Sequence, residues 1–417
     1  MGKDPIIFKR WNLYRLRYYF VVCFVFSLFF SACSRQTITV EDLSSPASSG
    51  SRYPNLLVTS ENSLMMSWLE PHNDDSWSFK YSEWNGINWA SARTIFSGNR
   101  FFVNWADFPS IYQLDGDTLA VHWLYKSGEG TYDYDIMVSI SNDRGESWLP
   151  PESPHRDGVL SEHGFLSFFK MEGNKLGMAW LDGRNMNISS DNETQNLGQM
   201  SLYFTSWAHG EWGPEILLDE RVCECCPTSA LVVDDQIMIA YRDRSMDEVR
   251  NMQVVRFSKG NWTLPIVIHN DDWMIPGCPV NGPVLAGNNI LAAAWFTAPD
   301  GNAQVNISFS SDIGQSFQNP IRVDSGNPLG RVDLVKLPGN DFLVSWMEWR
   351  EVDAEVKVRT VAPDGTLGKT HSVGMIDAGR GSGIPQMVLL KNWIYLSWTE
   401  IGEESGITFK RFKVKDL

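Results

Sequence analysis

The sequence predicts an all-β protein, a seven-bladed β-propeller built from four-stranded blades. A phrase made of a small or polar residue, an aromatic residue, a variable residue and usually an acid recurs seven times. No stretch after the first 33 residues keeps a helical apolar period. The aromatic positions of the seven copies are Trp68, Trp123, Trp180, Tyr241, Trp295, Trp346 and Trp398, at steps of 55, 57, 61, 54, 51 and 52 residues. A period near 50 residues with strand-like text is typical of propellers.

Each repeat reads as four short strands separated by turn residues. In the first repeat the expected strands are residues 56–58, 64–68, 77–81 and 92–95. These runs are rich in Val, Ile, Trp and Phe, and Gly, Asn, Asp and Ser bound them, as is usual for strands and hairpin turns.

The last repeat contains only three strands, at residues 387–390, 394–398 and 407–414, before the chain ends. The fourth strand of that blade must come from elsewhere, and residues 37–40 (Thr-Ile-Thr-Val) are the expected donor. Closure of the ring in this way leaves no edge of the last blade unpaired. Six blades are the alternative, if the first or last repeat is a partial blade.

The first 33 residues resemble a bacterial lipoprotein signal peptide. Five basic residues precede a short apolar run at 18–30, and the run ends in Phe-Ser-Ala before Cys33. We therefore expect Cys33 to be lipidated and to anchor the protein in the bacterial cell envelope, at the outer membrane because Ser34 carries no acidic retention signal. An uncleaved anchor helix is the alternative. Residues 34–52 are the expected tether and closing strand, and residues 53–417 a single propeller domain.

The net charge argues against nucleic acid as a partner. The whole chain carries −15, and removal of residues 1–32 takes away five basic residues and one acidic residue, which leaves about −19. Neutralisation of phosphates needs a basic face. The sequence also has no phosphate-binding glycine loop, and we expect no cofactor and a monomeric protein.

Two turns carry a sharper signature. Residues 141–148 fit the pattern Ser-x-Asp-x-Gly-x-x-Trp, and residues 310–317 fit it with Phe in place of Trp. These turns resemble the Asp-boxes, or BNR repeats, of the sialidase superfamily. In the stretch of roughly 100–335 the chain is also similar to secreted BNR-repeat proteins of undefined activity, through its Cys-x-Cys-Cys-x-Thr, Tyr-Arg-Asp-Arg-Ser and Gly-Cys-Pro-Val-Asn-Gly-Pro stretches.

The candidate functional residues lie at two places in each repeat, before the innermost strand and after the second strand. In a four-stranded blade these places share one face, so their polar residues should converge at one mouth of the channel. The residues before the innermost strands are Asp107, Glu162, His163, Cys225, Cys226, Asn281, Arg331 and Asp333. Those after the second strands are Glu70, Lys126, Asp182, Arg184, Arg242, Asp243, Arg244, Glu348 and Glu400.

The resemblance to sialidases implies roles for some of these residues. Sialidases hold the substrate carboxylate with three arginines and use an Asp acid/base with a Tyr nucleophile that a carboxylate assists. The implied catalytic residues are Asp107, Tyr241 and Glu162, with Tyr132 and Tyr134 as other candidates for the nucleophile. The implied substrate-binding residues are Arg184, Arg242, Arg244, Arg331, Asn281 and His163.

Two observations weigh against a complete sialidase site. The Arg-Ile-Pro-like motif that precedes the first blade of sialidases is matched only loosely by Arg52-Tyr53-Pro54. The arginines also have acidic neighbours in the sequence, so they fit ion pairs between blades equally well. Two functions therefore stay open: a sialidase-like exo-glycosidase that acts on acidic glycans, and a non-catalytic propeller that binds an anionic glycan or a protein.

Four cysteines form a second group of candidate functional residues. Cys223, Cys225 and Cys226 precede the fourth innermost strand, and Cys278 precedes the fifth, so the four should be neighbours. In an oxidising compartment they predict two disulfides, either Cys223–Cys226 with Cys225–Cys278 or the swapped partners. A thiolate metal site completed by His163 or Glu162 and a redox site are the alternatives.

Overall fold

The computed structural model describes residues 1–2, 38–186, 198–402 and 405–417. Within these ranges the chain forms 29 β-strands in seven antiparallel sheets, and its only helical segments are three 3₁₀ turns at Pro299–Gly301, Arg380–Ser382 and Val414–Asp416. Residues 3–37, which include Cys33, lie outside the described residues. No helix in the described part of the chain is long and apolar enough to span a membrane.

The strands follow one another blade by blade. The N-terminal strand is β1 (Glu41–Leu43). Blade 1 contains β2 (Arg52–Val58), β3 (Leu64–Pro71), β4 (Trp77–Trp84) and β5 (Arg93–Gly98). Blade 2 contains β6 (Ser110–Gln113), β7 (Leu119–Lys126) and β8 (Tyr134–Ser141). Blade 3 contains β9 (His163–Met171), β10 (Lys175–Asp182), β11 (Met200–Ala208), β12 (Glu211–Trp212) and β13 (Ile216–Val222).

The remaining blades repeat the same order. Blade 4 contains β14 (Ser229–Val233), β15 (Gln236–Arg242), β16 (Met252–Ser258), β17 (Asn261–Trp262) and β18 (Ile266–His269). Blade 5 contains β19 (Val284–Gly287), β20 (Leu291–Thr297), β21 (Gln304–Ser310) and β22 (Ile321–Arg322). Blade 6 contains β23 (Pro328–Lys336), β24 (Phe342–Arg350), β25 (Asp353–Val361) and β26 (Leu367–Ile376). Blade 7 contains β27 (Gln386–Leu390), β28 (Trp393–Glu400) and β29 (Gly406–Lys413).

The prediction of seven blades is confirmed, and six is excluded. Blade 2 forms a three-stranded sheet whose fourth position is a single bridge between Val138 and Glu152. In blades 3 and 4 the outer position is divided between two short strands that pair with the same third strand.

The ring closes through the N-terminal segment, as predicted, but the described part of the predicted donor, residues 38–40, forms no strand, and Thr37 lies outside the described residues. The closing strand is β1, which pairs with β29 at Glu41↔Arg411 and Leu43↔Phe409. The Glu41 carboxylate accepts a 2.7 Å bond from Arg411 Nε, and Asp42 pairs with Lys410. Cross-strand charge pairing therefore selects the acidic segment, although the residues just before it have the higher strand propensity.

In three of the blades the acid of the recurring phrase accepts a hydrogen bond from the buried tryptophan. The indole Nε1 donates to the carboxylate two residues later in three blades, at 3.3 Å from Trp68 to Glu70, 2.8 Å from Trp180 to Asp182 and 3.0 Å from Trp346 to Glu348. A buried indole N–H needs an acceptor, so the acid completes the packing of the blade.

Polar side chains at the innermost strands join all seven blades. We call these side chains the inner polar ring. Five of them accept a hydrogen bond from a backbone N–H of the next blade: Asn55 from Ile111, Asp107 from Phe165, Ser229 from Leu285, Asn281 from Arg331 and Asp333 from Met387. In the other two bonds Thr228 Oγ1 donates to Phe165 O, and Asn55 Nδ2 donates to Gln386 Oε1. The lengths of all these bonds run from 2.6 to 3.3 Å. Each satisfies a backbone or amide group that would otherwise face the channel without a partner.

Some of these bonds stabilise left-handed backbone. Phe165 has φ 55° and Arg331 has φ 52°, a conformation that costs a residue with a Cβ atom roughly 1–3 kcal/mol. In both cases the strained residue's own N–H donates to the side chain of the preceding blade, Asp107 or Asn281. The inner polar ring therefore fixes the turn that leads into each of these innermost strands.

We expect the protein to lose stability as the pH rises from 6 to 9, and Asp333 to be one cause. Burial raises the pKa of Asp333 to about 7, whereas an unfolded Asp titrates near ~3.9. The folded state therefore binds the proton more tightly, so the contribution of this group is full below about pH 4 and is lost as the pH rises through about 7. Asp107, whose pKa burial raises to about 8, acts in the same direction.

The measurement is Tm between pH 6 and 9 for the wild type, Asp333→Asn and Asp364→Asn. An amide does not titrate, so Asp333→Asn should flatten the decline by ~3 °C or more. Asp364 lies in an exposed turn and serves as the matched control, whose profile should follow the wild type. Equal slopes for the wild type and Asp333→Asn would contradict the prediction.

The two Asp-box turns share one hydrogen-bond pattern. Asp143 accepts from Ser141 Oγ at 2.8 Å and from Ser147 N at 2.9 Å, and Ser141 Oγ accepts from Gly145 N at 2.7 Å. Residues 310, 312, 314 and 316 make the equivalent bonds in blade 5. Both turns lie beyond the third strand of their blade, so they are structural hairpins away from the candidate residues.

Candidate functional site

The central channel is the cavity that four of the candidate residues line. Its volume is about 370 Å³, and all seven blades contribute to its wall. Asp107, Asn281, Arg331 and Asp333 line this cavity, whereas the other candidates before the innermost strands and the candidates after the second strands do not. Asp107, Asn281 and Asp333 belong to the inner polar ring, and the backbone N–H of Arg331 donates to Asn281 in it.

Tyr134, Glu162 and Asp107 come together where blade 2 meets blade 3. The Tyr134 hydroxyl donates a 2.6 Å hydrogen bond to Glu162 Oε1. Gly164 lies against Asp107 and Tyr134: a methyl group at its Cα would collide with Asp107 Oδ2 and approach Tyr134 Cε2 to 3.2 Å. Because Gly164 has no side chain, the Asp107 carboxyl and the Tyr134 ring can both pack against its Cα.

Burial raises the pKa values of Asp107, Glu162 and Tyr134. It raises the pKa of Asp107 to about 8 and that of Glu162 to about 7, and nearby acids add to both effects. The pKa of Tyr134 is raised well above its usual value by burial and by Glu162 and Asp107. Tyr134 is fully buried and stacks on Phe102 with ring centroids 4.1 Å apart, whereas Glu162 is half-buried. A phenol, a carboxylate that accepts its proton and a carboxylic acid are the components of covalent glycoside cleavage.

The other two tyrosine candidates lie elsewhere. Tyr241 is fully buried in the core between blades 3 and 4, and its hydroxyl donates a 2.6 Å bond to Asp219 Oδ2. Tyr132 is 61% exposed, and its side chain makes no hydrogen bond in the described part of the chain. Of the three, Tyr134 is the one that the structure places beside Glu162 and Asp107.

Arg242 and Arg331 donate to backbone carbonyls. Arg242, 1% exposed, donates to the carbonyls of Asn281, Arg250 and Phe296 at 2.9, 2.8 and 2.6 Å. Arg331 donates to Ser382 Oγ at 2.7 Å and to the carbonyls of Gly383 and Gly379. Burial lowers the pKa of Arg331 to about 10.

Arg184 and Arg244 make ion pairs. Arg184 Nη2 lies 2.7 Å from Asp182 Oδ2 and 2.6 Å from Glu215 Oε2. Arg244 pairs with Glu224 and, at 2.7 Å, with Glu248. All four arginines predicted to bind substrate thus have protein partners, and the structure does not gather them around one cavity.

The four cysteines are neighbours, as expected. Cys223 Sγ lies 2.9 Å from Cys226 Sγ and 4.0 Å from Cys225 Sγ, and the thiol of Cys278 contacts that of Cys225. The shorter distance favours the pairing Cys223–Cys226 with Cys225–Cys278, which stays a prediction. Arg250 Nη1, 3.1 Å from Cys223 Sγ, helps the neighbouring thiols to lower the pKa of Cys223 despite its burial.

His163 lies in a charged cluster that the sequence did not reveal. Its ring stacks on His155 with centroids 3.7 Å apart and planes inclined by 3°. Asp135, Asp157 and Asp182 surround the two rings. His155 and Asp157 lie in the connection between blades 2 and 3, outside the repeated positions, so the repeat pattern carried no signal for them.

The comparisons with known proteins show the fold. No protein-family model and no curated protein matches the chain. Among solved structures, polysaccharide lyase Uly1 aligns with a TM-score of 0.51 at 11% identity, over 86% of this chain and 89% of the lyase. The Hadza microbial sialidase Hz136 aligns with a TM-score of 0.48 at 12% identity, over 82% and 74% of the two chains. The phage phi92 endosialidase aligns with a TM-score of 0.49 at 9% identity, over 91% and 69%. The likeness to Uly1 supports the fold alone, which the strand topology gives as a seven-bladed β-propeller.

Proposed function

We propose that this chain is a glycan-active propeller, an exo-glycosidase of acidic glycans whose catalytic centre is Tyr134, Glu162 and Asp107. The observation that carries the proposal is the 2.6 Å bond from the Tyr134 hydroxyl to Glu162, beside Asp107 above Gly164. The fold agrees with this function, since solved structures with a similar fold are named as sialidases and polysaccharide lyases.

The three residues divide the reaction between them. Tyr134 Oη attacks the anomeric carbon and passes its proton to Glu162, while Asp107 gives a proton to the departing glycosidic oxygen. The glycosidic bond breaks as the Tyr–glycosyl bond forms. Water, deprotonated by Asp107, then attacks the anomeric carbon and breaks the Tyr–glycosyl bond, and Glu162 returns its proton to the Tyr134 oxygen. The raised pKa of Asp107, about 8, keeps this carboxyl protonated and able to act as the acid at neutral pH.

One observation favours the second candidate, a propeller that binds a glycan without cleaving it. Tyr134 is fully buried, and cleavage requires the substrate to reach it past the half-buried Glu162. Binding without turnover does not require access to the phenol.

The deciding experiment is sugar release by the full chain, purified in detergent, from α-linked sialosides and from a wider panel of acidic and neutral glycans. Release that Tyr134→Phe abolishes supports the proposal. Binding to a glycan array without release supports the second candidate. A folded protein that neither binds nor cleaves any member of the panel contradicts both.

We also propose that Cys33 anchors the protein in the bacterial envelope. Cys33→Ser should abolish incorporation of radiolabelled palmitate and move the protein from the membrane fraction to the soluble fraction, because one thioether-linked lipid is the expected anchor. Cys23→Ser, a change inside the apolar run of the leader, is the matched control and should still be labelled. Labelling that survives in Cys33→Ser would show that the lipoprotein interpretation is wrong.

A further inference from the structure

Five side chains form a buried cluster between blades 2 and 3, which we call the His–Asp cluster: Asp135, His155, Asp157, His163 and Asp182. Three parts of the fold supply it. Asp135 comes from β8, His163 and Asp182 come from the first two strands of blade 3, and His155 and Asp157 come from the connection between the blades. The side chains of His163 and Asp182 are fully buried.

The donor atoms of this cluster have the spacing of a metal site. His163 Nε2 lies 3.2 Å from Asp157 Oδ2 and 3.7 Å from Asp182 Oδ1. Ligands about 2.0–2.1 Å from a tetrahedral ion lie roughly 3.3 Å apart, which follows from ordinary Zn–N and Zn–O bond lengths. The three atoms therefore need only small movements to bind one ion.

Hydrogen bonding accounts for one of these three atoms, Asp182 Oδ1, which accepts from Arg184 N at 3.0 Å and from Arg184 Nε at 2.8 Å. In the described part of the chain neither ring nitrogen of His163 has a hydrogen-bond partner, and the same holds for Asp157 Oδ2 and His155 Nε2. Carboxylate oxygens of Asp135, Asp157 and Asp182 lie 3.6, 3.2 and 3.7 Å from the ring nitrogens of His163 without forming a hydrogen bond. A buried imidazole that makes no hydrogen bond costs roughly 1–3 kcal/mol, so this geometry fits a missing ligand between the ring and the carboxylates.

The charges of the region point to a dication. Asp157, Asp182 and Glu215 lie against Arg184, Glu215 also pairs with Arg156, and Asp135 faces the two histidines. With neutral imidazoles, these four negative and two positive charges leave −2. Protonation of both histidines would also balance this charge, but it would place two imidazolium rings 3.7 Å apart. A bound divalent ion avoids that repulsion.

We propose that the His–Asp cluster binds one divalent transition-metal ion, Zn²⁺ or Mn²⁺, through His163 Nε2, Asp157 Oδ2 and Asp182 Oδ1. Imidazole and carboxylate ligands are the donors that these ions accept. Asp135 Oδ1, 3.6 Å from His163 Nδ1, then orients the ring from behind, as second carboxylates do at metal-bound histidines. Arg184 orients Asp182 through bonds of 2.8 and 2.7 Å from Nε and Nη2.

The ion would fasten the connection between blades 2 and 3 to blade 3. Asp157 belongs to that connection and the other two ligands belong to blade 3, so one ion joins segments that the main-chain ladders leave apart. The site is structural and shares no residue with the proposed catalytic centre, although Asp135 follows Tyr134 and His163 follows Glu162 in the chain. Either one can fail without the other.

The test is metal content and metal binding of the full chain, purified in detergent without chelator. Elemental analysis should find about one Zn²⁺ or Mn²⁺ per chain. After removal of the ion, titration with Mn²⁺ alone should show one site, and Tm should rise on its addition. Mn²⁺ is the probe of choice because it prefers oxygen and imidazole ligands to thiolates, so the four cysteines do not compete for it.

Substitutions in the His–Asp cluster identify the residues that bind the ion. His163→Gln and Asp157→Asn should each weaken Mn²⁺ binding at least ~100-fold, and Asp135→Asn ~10–100-fold because it removes only an orienting partner. His209→Gln, at an exposed histidine in a turn of blade 3, should bind as the wild type does. Circular dichroism checks folding, and Asp135, which is 30% exposed, provides a variant that folds if the buried ones do not.

Two results would overturn the proposal. The first is the absence of Zn²⁺ and Mn²⁺ uptake by the folded wild type. The second is uptake that stays unchanged in His163→Gln, Asp157→Asn and Asp135→Asn, because the ion would then be bound elsewhere, with the cysteines as the first place to look.

Discussion

Tyr134→Phe should lower kcat at least ~10³-fold on any glycan that the wild type cleaves, and leave the fold intact. The change removes one oxygen atom, the proposed nucleophile, and loss of a nucleophile or of its base typically costs this much or more. The ring remains, so its stacking on Phe102 at 4.1 Å persists. Glu162→Gln should cause a similar loss, because an amide cannot accept the phenolic proton.

Tyr241→Phe is the matched comparison. It also removes one hydroxyl from a fully buried tyrosine that donates a 2.6 Å bond to a carboxylate, here Asp219. We expect it to lower stability by ~1–3 kcal/mol, because Asp219 loses its partner, and to leave kcat within about threefold of the wild type. Loss of turnover in Tyr241→Phe but not in Tyr134→Phe would place the nucleophile at Tyr241, where the sequence analysis first placed it, and would refute the proposed centre. The measurement is kcat and KM beside the midpoint of denaturant unfolding for each variant.

The fold was predictable because each blade of a propeller repeats the same sequence pattern at a nearly constant spacing. Each blade needs one large aromatic side chain between sheets, and the six tryptophans at this position are at most 1% exposed. The spacing of these residues alone predicts seven blades. The closing strand was less predictable, since a short edge strand is selected by its partner. Lys410 and Arg411 favour the acidic residues 41 and 42 over the Thr-Ile-Thr-Val segment just before them.

The candidate site was predictable only in its location. The repeat predicts which residues face the channel mouth, and Asp107 does line the cavity, with Glu162 close enough to raise its pKa. The sequence does not show which partners a charged residue chooses. Arg242 illustrates this limit: it follows the second strand of its blade, as a ligand-binding residue would, yet its guanidinium turns inwards to three carbonyls. The His–Asp cluster was missed for the opposite reason, because His155 and Asp157 occupy no repeated position.

Arg242→Met should destabilise the protein by about 3–5 kcal/mol without a specific effect on substrate affinity. The guanidinium is 1% exposed, stacks over Trp273 at 5.0 Å and joins blade 4 to blade 5 through the carbonyls of Asn281 and Phe296. Met keeps most of the apolar volume but leaves three buried carbonyls without donors, at roughly 1–3 kcal/mol each before relaxation.

Arg244→Met separates this structural role from a substrate clamp. Arg244 is 10% exposed, and its partners Glu224 and Glu248 keep Arg250 at 2.7 and 2.9 Å, so its loss should cost only ~1 kcal/mol. Denaturant unfolding at pH 7 gives both stabilities, and KM on the same preparations gives the affinities. If Arg242→Met were as stable as the wild type and raised KM at least tenfold, Arg242 would bind the substrate carboxylate, as the resemblance to sialidases implies. A large loss of stability with unchanged KM in the folded fraction would mean that this position, basic in sequence and placed at a channel mouth, evolved to hold two blades together.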